Sequence, residues 1–365
     1  MKRRDFIKTS AAASALLGMN LMVSCNKPNS KLKVLVLGGT YFVGPAIVNA
    51  ALENNHDVTL FNRGITNPTL FPNLKLTRGD RENGASAYQG LQNENWDVVI
   101  DVWPEKSKLV DDATRSLQGN SNHYIFISSV AVYNDFQEVG LNEDSAVVSL
   151  NPNKEEWAYY EEKVEAENLV RKRFPDNHTI LRCGPIKGWR DPAMDLLYWC
   201  MKLSRDESII APGSGLDPLQ FIDVRDVGRF TRLALENRYI GTYNCVGPGK
   251  NPLLWKDFLE LTKAHLGSQT ELVWANENFL AENNVASFSD LPLWAPLSED
   301  RGFMQISNSK LSQTGFEFSG ISSILDDCMK WHKNNLDQNL RFGTKENNLG
   351  LERTKELELI NKLKG

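Results

Sequence analysis

Short unbroken apolar runs, each followed by a turn and a segment of helical spacing, dominate the first half of the chain. Val34–Leu37, Asp57–Phe61, Leu74–Leu76, Trp96–Val102 and His123–Ile127 are such runs. They lack the alternation of a one-sided sheet, so the pattern predicts strands covered on both faces, as in a parallel sheet. Helical spacing fills Val43 to about Asn54, Glu105 to Leu117 and Glu155 to Val170. Strand and helix alternate at about 30 residues, the signature of right-handed crossovers. Beyond Trp189 the periodicity loosens. A helix over Met194–Leu203 and a short strand over Leu219–Ile222 are expected, then a helix over Val224–Glu236 and a strand over Thr242–Val246 that return to the sheet. Pro252 to Trp331 reads as helices with an aromatic-rich stretch, Phe279–Trp294, and Glu352–Lys364 as a charged amphipathic helix.

The first strand runs into Gly38-Gly-Thr-Tyr-Phe-Val-Gly44. Gly38 and Gly44 occupy the first and last positions of a G-x-x-G-x-x-G frame, where the first allows positive φ and the last allows the helix to pack close to the strand. Tyr41 stands where the middle glycine would be. A helix start offers four unpaired N–H groups and a positive dipole end, which suit a pyrophosphate held by Gly38, Thr40, Tyr41, Phe42, Val43 and Gly44. Alone, the motif is equally a plain strand-to-helix turn. The second strand ends in Asn62-Arg63 instead of the acid that takes a ribose 2′-hydroxyl, so NADP is expected in preference to the alternative, NAD. Asp80 is placed to accept from the adenine amino group, and Asp101 to face the crevice beyond the strand ends. The expected fold is α/β, a Rossmann-type doubly wound parallel sheet over residues 31–185 completed by 225–247. A smaller C-terminal substrate-binding cap comprises 186–224 and 248–340, followed by a C-terminal helix within 341–365.

Ser129 follows the fifth strand, and thirty residues later Tyr159 and Lys163 fall one helical turn apart. Tyr160 has Val164 at the corresponding place and forms no such pair. Together with the glycine turn, Ile180-Leu-Arg-Cys-Gly-Pro-Ile-Lys-Gly188, Gln220-Phe-Ile-Asp-Val-Arg-Asp226 and Gly241-Thr-Tyr-Asn244, these residues resemble the short-chain dehydrogenase/reductase superfamily. The likeness is to its extended and atypical members related to nucleotide-sugar epimerases and dehydratases. The chain departs from them at Tyr41, at Asp101-Val-Trp-Pro104 in place of an apolar-Ala-Ala segment, and at Asn134 in place of glycine.

The resemblance implies catalysis by Ser129, Tyr159 and Lys163, with Cys183 and Ile186 against the cofactor and Lys163 on the nicotinamide ribose. A neighbouring ammonium and a cationic nicotinamide would favour the Tyr159 phenolate and make it a usable acid or base, while Ser129 fixes the same oxygen. Tyr133, Arg190 and Gln220 are candidates to contact a carbohydrate-like substrate. Trp189, Tyr198 and Trp199 are expected to stack on it or to pack the cap. The expected activity is that of an oxidoreductase or epimerase, and the alternative is a catalytically silent nucleotide-binding module acting as sensor, scaffold or RNA-associated protein.

Charge and leader narrow the setting. Met1-Lys-Arg-Arg-Asp-Phe-Ile-Lys8, an apolar run from Ala11 to Ser24 and Cys25 form an export-type leader too short to span a bilayer. Arg3-Arg4-x-Phe-Ile-Lys8 resembles a twin-arginine signal, and Met22-Val-Ser-Cys25 a bacterial lipobox, implying cleavage before Cys25 and its acylation. Residues 1–24 would be the signal and 25–30 a tether. The protein would then be a periplasmic or cell-surface lipoprotein whose only membrane contact is the lipid. Losing residues 1–24, with four basic and one acidic side chain, moves the formal charge from −5 to about −8. That balance argues against a nucleic-acid partner. Cys183, Cys200, Cys245 and Cys328 are too widely spaced for a metal or disulfide framework, and the five histidines are scattered, so no metal is expected.

Overall fold

A computed structural model describes residues 30–102, 105–248, 252–337 and 339–365. The expected leader and Cys25 lie outside the described residues. Seven strands form one parallel sheet: β1 Lys33–Leu37, β2 Asp57–Asn62, β3 Lys75–Arg78, β4 Val98–Asp101, β5 Tyr124–Ser129, β6 His178–Cys183 and β7 Gly241–Cys245, in the order β7-β6-β5-β4-β1-β2-β3. The strand order reverses between β1 and β4, whose Leu37 and Asp101 are register partners. Ligands of doubly wound sheets bind beyond the strand ends at such a reversal.

The apolar runs are buried as their pattern predicts: Val34 to Leu37 and Val98 to Ile100 are all inaccessible to solvent or nearly so. Helices α1 Val43–Glu53 and α5 Val224–Asn237 pack together on one face, and α2 Ser107–Leu117 and α3 Tyr159–Arg173 on the other; between them in sequence lies α4, Asp195–Arg205. The even alternation expected of strands and helices fails twice. No helix joins β2 to β3, and β3 is followed by a 3₁₀ stretch, Arg81–Leu91, broken at Gly84 with φ 64°. Two glycines in eleven residues disfavour a regular helix there. Strand β6 is one the apolar pattern does not announce, because His178 and Arg182 interrupt its run. The helix expected from Glu155 begins only at Tyr159, where Glu161 reaches back to the Ala158 N–H at 2.7 Å.

The single strand expected over Leu219–Ile222 is two. Pro218–Leu219 pairs with Leu253–Leu254, and Ile222–Asp223 with Ile186–Lys187. A second hydrophobic core gathers Trp199, Trp255, Phe258, Leu280, Trp294 and Leu325, and the C-terminal helix Arg353–Lys364 contributes Leu359 and Ile360 to it. Among the described residues, no helix is long and apolar enough to cross a membrane.

Candidate active site

The glycine turn encloses one side of a cavity of about 780 Å³. Gly38 and Gly39 take φ of 107° and 96°, a region closed to most side chains. Gly44 serves the turn differently from expectation: a Cβ there would stand 2.5 Å from the Gly39 Cα, so the glycine lets the turn fold on its own backbone. Helix α1 has no side-chain cap and no acid in its first turn. Pro45 lacks an N–H, so the helix start offers three free donors instead of four. Thr40, Tyr41, Phe42, Val43, Arg63 and Asp80 all line the cavity, with Arg81 and Lys106 across it. A crowded glycine cradle, an unopposed helix N-terminus and room of this size fit a dinucleotide's phosphates and adenosine.

Arg63 is exposed at the cavity edge. Asn62 also lines the cavity, half-buried, with part of its amide already bonded to the protein. Its side chain donates to the Gly38 carbonyl and accepts from the Gly64 N–H, both at 2.8 Å, and so ties β2 to the glycine turn. Asp80 lines the cavity while its carboxylate accepts from the Glu82 N–H at 3.1 Å, which leaves its second oxygen for an adenine donor. Tyr41, at the middle-glycine position, is 61% exposed and lines the cavity.

Asp101 does not face the crevice. It is fully buried, accepting two bonds from Arg81 at 2.6 and 3.0 Å and one from the Tyr124 hydroxyl at 2.6 Å. A carboxylate in the sheet interior needs such partners, and the crevice would not supply them.

Ser129, Tyr159 and Lys163 meet above the end of β5, outside the lining of the cavity. Tyr159 is the first residue of α3 and 47% exposed, and its hydroxyl interacts with Ser129. The loss of water around that hydroxyl pushes the phenol above its ordinary value, with the Ser129 interaction pulling the other way. Lys163 is buried, and burial pushes its amine down to about 7. It donates to the Ile127 carbonyl at 3.0 Å and sits 4.9 Å from the Phe126 ring centroid and 5.7 Å from that of Tyr159. The expected depression of Tyr159 by Lys163 is therefore not found in the protein by itself.

The other candidates scatter. Cys183 is buried beside Ser129 and Cys245 in the sheet register, and Ile186 is half-buried on a short strand; neither lines the cavity. Tyr133 is buried and donates to Asn244 Oδ1 at 2.6 Å, under the Arg182 guanidinium. Gln220 is also buried, bonded to both the N–H and the carbonyl of Ile306. These two hold the fold and have no face for a substrate. Arg190 lies against the glycine turn, with Nε 3.3 Å from the Tyr41 carbonyl and its guanidinium over Trp331. Trp189 packs edge-on to Trp331, while Tyr198 and Trp199 belong to the second core. The sequence reading missed Ser128, Glu167 and Arg182. Glu167 falls one turn beyond Lys163 on the same stripe, and that spacing is the signal for it.

Sheet order and glycine turn together define a Rossmann-type protein of α/β class, with a cavity against the turn. The chain belongs to the NAD dependent epimerase/dehydratase family, whose model matches residues 34–245. It is 26% identical over 216 residues to the chloroplast stem-loop binding protein of 41 kDa b of Arabidopsis thaliana, and spans about half the length of that relative (54% of each chain). To phenylcoumaran benzylic ether reductase 1 of the same plant it is 24% identical over 276 residues, 71% of this chain and 82% of the other. Among solved structures, UDP-glucuronic acid 4-epimerase from Bacillus cereus in complex with NAD has the same fold, with a TM-score of 0.59 at 19% identity over 84% of this chain and 100% of that one. UDP-N-acetylglucosamine 4-epimerase from Bacillus cereus gives 0.61 at 13% identity over 86% and 100%.

Proposed function

We propose that the protein is an NAD(P)-dependent oxidoreductase or epimerase acting on a hydroxyl or ketone of a carbohydrate-like substrate. The observation that carries this reading is the meeting of Ser129, Tyr159 and Lys163 at the strand ends of a sheet whose glycine turn forms a phosphate-sized cradle. A bound nicotinamide dinucleotide supplies the hydride acceptor or donor. The chain's own work is proton movement and placement. Tyr159 gives or takes the proton at the reacting oxygen, Ser129 holds that oxygen, and Lys163 supplies a cation once protonated. Gly38 to Gly44 hold the phosphates and Asp80 the adenine, while Arg63 pairs with a 2′-phosphate, so that NADP is preferred over NAD.

Export through the leader and anchoring at Cys25 belong to the same proposal. No pool of reduced nucleotide is at hand outside the cytoplasm. A protein that folds around its cofactor before export and keeps it would be suited to redox-neutral chemistry, in which oxidation of a hydroxyl and reduction of the resulting ketone leave no net demand for nucleotide. Incubation with nucleotide sugars and free sugars, read by NMR for isomer exchange, tests this reading. Isomerisation or reduction that Tyr159→Phe abolishes supports it, and no turnover across the set contradicts it.

One observation favours a second reading, a nucleotide-binding module without turnover: the Lys163 amine donates to the Ile127 carbonyl and stands 5.7 Å from the Tyr159 ring centroid, and the Tyr159 hydroxyl is pushed up instead of down. In that case nucleotide binds and Tyr159→Phe changes nothing.

A further inference from the structure

Tyr159, Lys163 and Glu167 recur at intervals of four and so form one stripe along α3. That stripe meets three consecutive residues of β5. Tyr159 interacts with Ser129, Lys163 donates to the Ile127 carbonyl, and Glu167 accepts from the Ser128 hydroxyl at 2.7 Å.

Glu167 is 1% exposed, and its carboxylate is saturated. Oε1 accepts from Ser128 and from Arg182 Nε at 3.0 Å; Oε2 accepts from Arg182 Nη2 and from Arg171 Nη2, both at 2.8 Å. Burial alone would raise this carboxyl, yet Arg182, Arg171 and Ser128 hold it below the usual range. Arg182 comes from β6, whose Cys183 is the register partner of Ser129. One carboxylate thus joins α3 to β5 and β6, one residue from Ser129 on β5 and one residue from its register partner Cys183 on β6.

We propose that Glu167 is a positioning residue for Ser129 and Tyr159. By holding Ser128 and Arg182 it fixes the helix that carries the acid/base against the strand that carries the hydroxyl. The proposal rests on the roles given to Ser129 and Tyr159 above. A turn of helix slipping against the strand would break the contacts at Ser128 and Ser129 together. The fork-to-carboxylate geometry of the Arg182 pair resists that slip better than a point charge would. Helix packing without this tie would still hold α3 on the sheet, but would leave the phenol-to-serine distance to chance.

The test follows the Tyr159 hydroxyl directly. In the full chain labelled with ¹³Cζ-tyrosine, Tyr159→Phe assigns the resonance, and a pH titration gives its midpoint in wild type, Ser128→Ala and Glu167→Gln. Loss of the serine interaction should raise the midpoint by about one pH unit in both variants. Ser128→Ala removes a single hydroxyl and keeps the Arg182 pair, so it reports even if Glu167→Gln folds poorly. An unmoved midpoint in a folded Ser128→Ala, with only its melting temperature lowered, overturns the proposal. The titration needs no nucleotide or substrate. A raised midpoint in a protein that binds no dinucleotide would retain the tie and remove the enzyme reading, whereas an unmoved midpoint in an active enzyme would do the reverse.

Discussion

Lys163 lies one helical turn past Tyr159, yet its amine donates to the Ile127 carbonyl 3.0 Å away and stands 5.7 Å from the Tyr159 ring centroid. The buried amine has consequences for stability as well as chemistry. Its folded value, about 7, lies below the ordinary 10.5, so between those two values the unfolded chain binds more protons than the folded one. Stability from this group therefore rises as pH increases through that window, and the penalty is complete below about pH 7. Denaturation of the nucleotide-free protein should show a rising midpoint from pH 7 toward 10, and Lys163→Met should lose that slope. The buried thiols of Cys200 and Cys328, pushed up by burial, and that of Cys245, pushed up by its Cys183 interaction and by burial, oppose this slope at the alkaline end. The difference between wild type and Lys163→Met is therefore the readout, and a difference that falls over the window would show Lys163 to be charged and well partnered in the folded state.

Tyr159 and Tyr160 are adjacent and similarly exposed, but only Tyr159 reaches Ser129. Tyr159→Phe should lower turnover by at least about a hundredfold while nucleotide affinity stays within about twofold. Tyr160→Phe should leave both nearly as they are. Steady-state rates and nucleotide titration on the two variants check the difference; an active Tyr159→Phe would falsify the acid/base role.

Cofactor choice rests on Arg63 now that Asn62 is committed to the glycine turn. Titration of NADP and NAD should show tighter binding of NADP. Arg63→Ala should erase most of that preference, at a cost of about 1 to 3 kcal/mol in NADP affinity and little in NAD. Asn62→Ala should instead weaken both alike, because it loosens the turn. Equal binding of the two nucleotides to wild type would contradict the argument.

The glycine turn, the parallel sheet and the Tyr159/Lys163 stripe were legible because each depends on local spacing or on an unbroken apolar run. What was not legible is where side chains spend their hydrogen bonds. Gln220 and Tyr133 look available in the sequence, but their partners Ile306 and Asn244 are about 90 to 110 residues away, and no periodicity reports such pairs. Asp101 was misplaced for the same reason, since Arg81 and Tyr124 turn it inward. Between β3 and β4 the regular alternation gives way to the 3₁₀ stretch Arg81–Leu91, which carries two glycines.

Anchoring is a separate expectation, carried by Arg3, Arg4 and Cys25 alone. The wild-type protein should fractionate with membranes and resist carbonate extraction, and Cys25→Ala should appear in the soluble envelope fraction. Lysine at both Arg3 and Arg4 should leave the precursor in the cytoplasm. A wild-type protein found soluble in the cytoplasm would remove the reason for a retained cofactor.

The nucleotide content of the purified protein bears most directly on the whole account. Protein recovered from the envelope, denatured and analysed by mass spectrometry, should release about one dinucleotide per chain, mostly NADP, and added labelled NADP should exchange with it only slowly. Protein that emerges empty and stays empty after incubation with NADP or NAD would contradict the assignment of the glycine turn as a cofactor site.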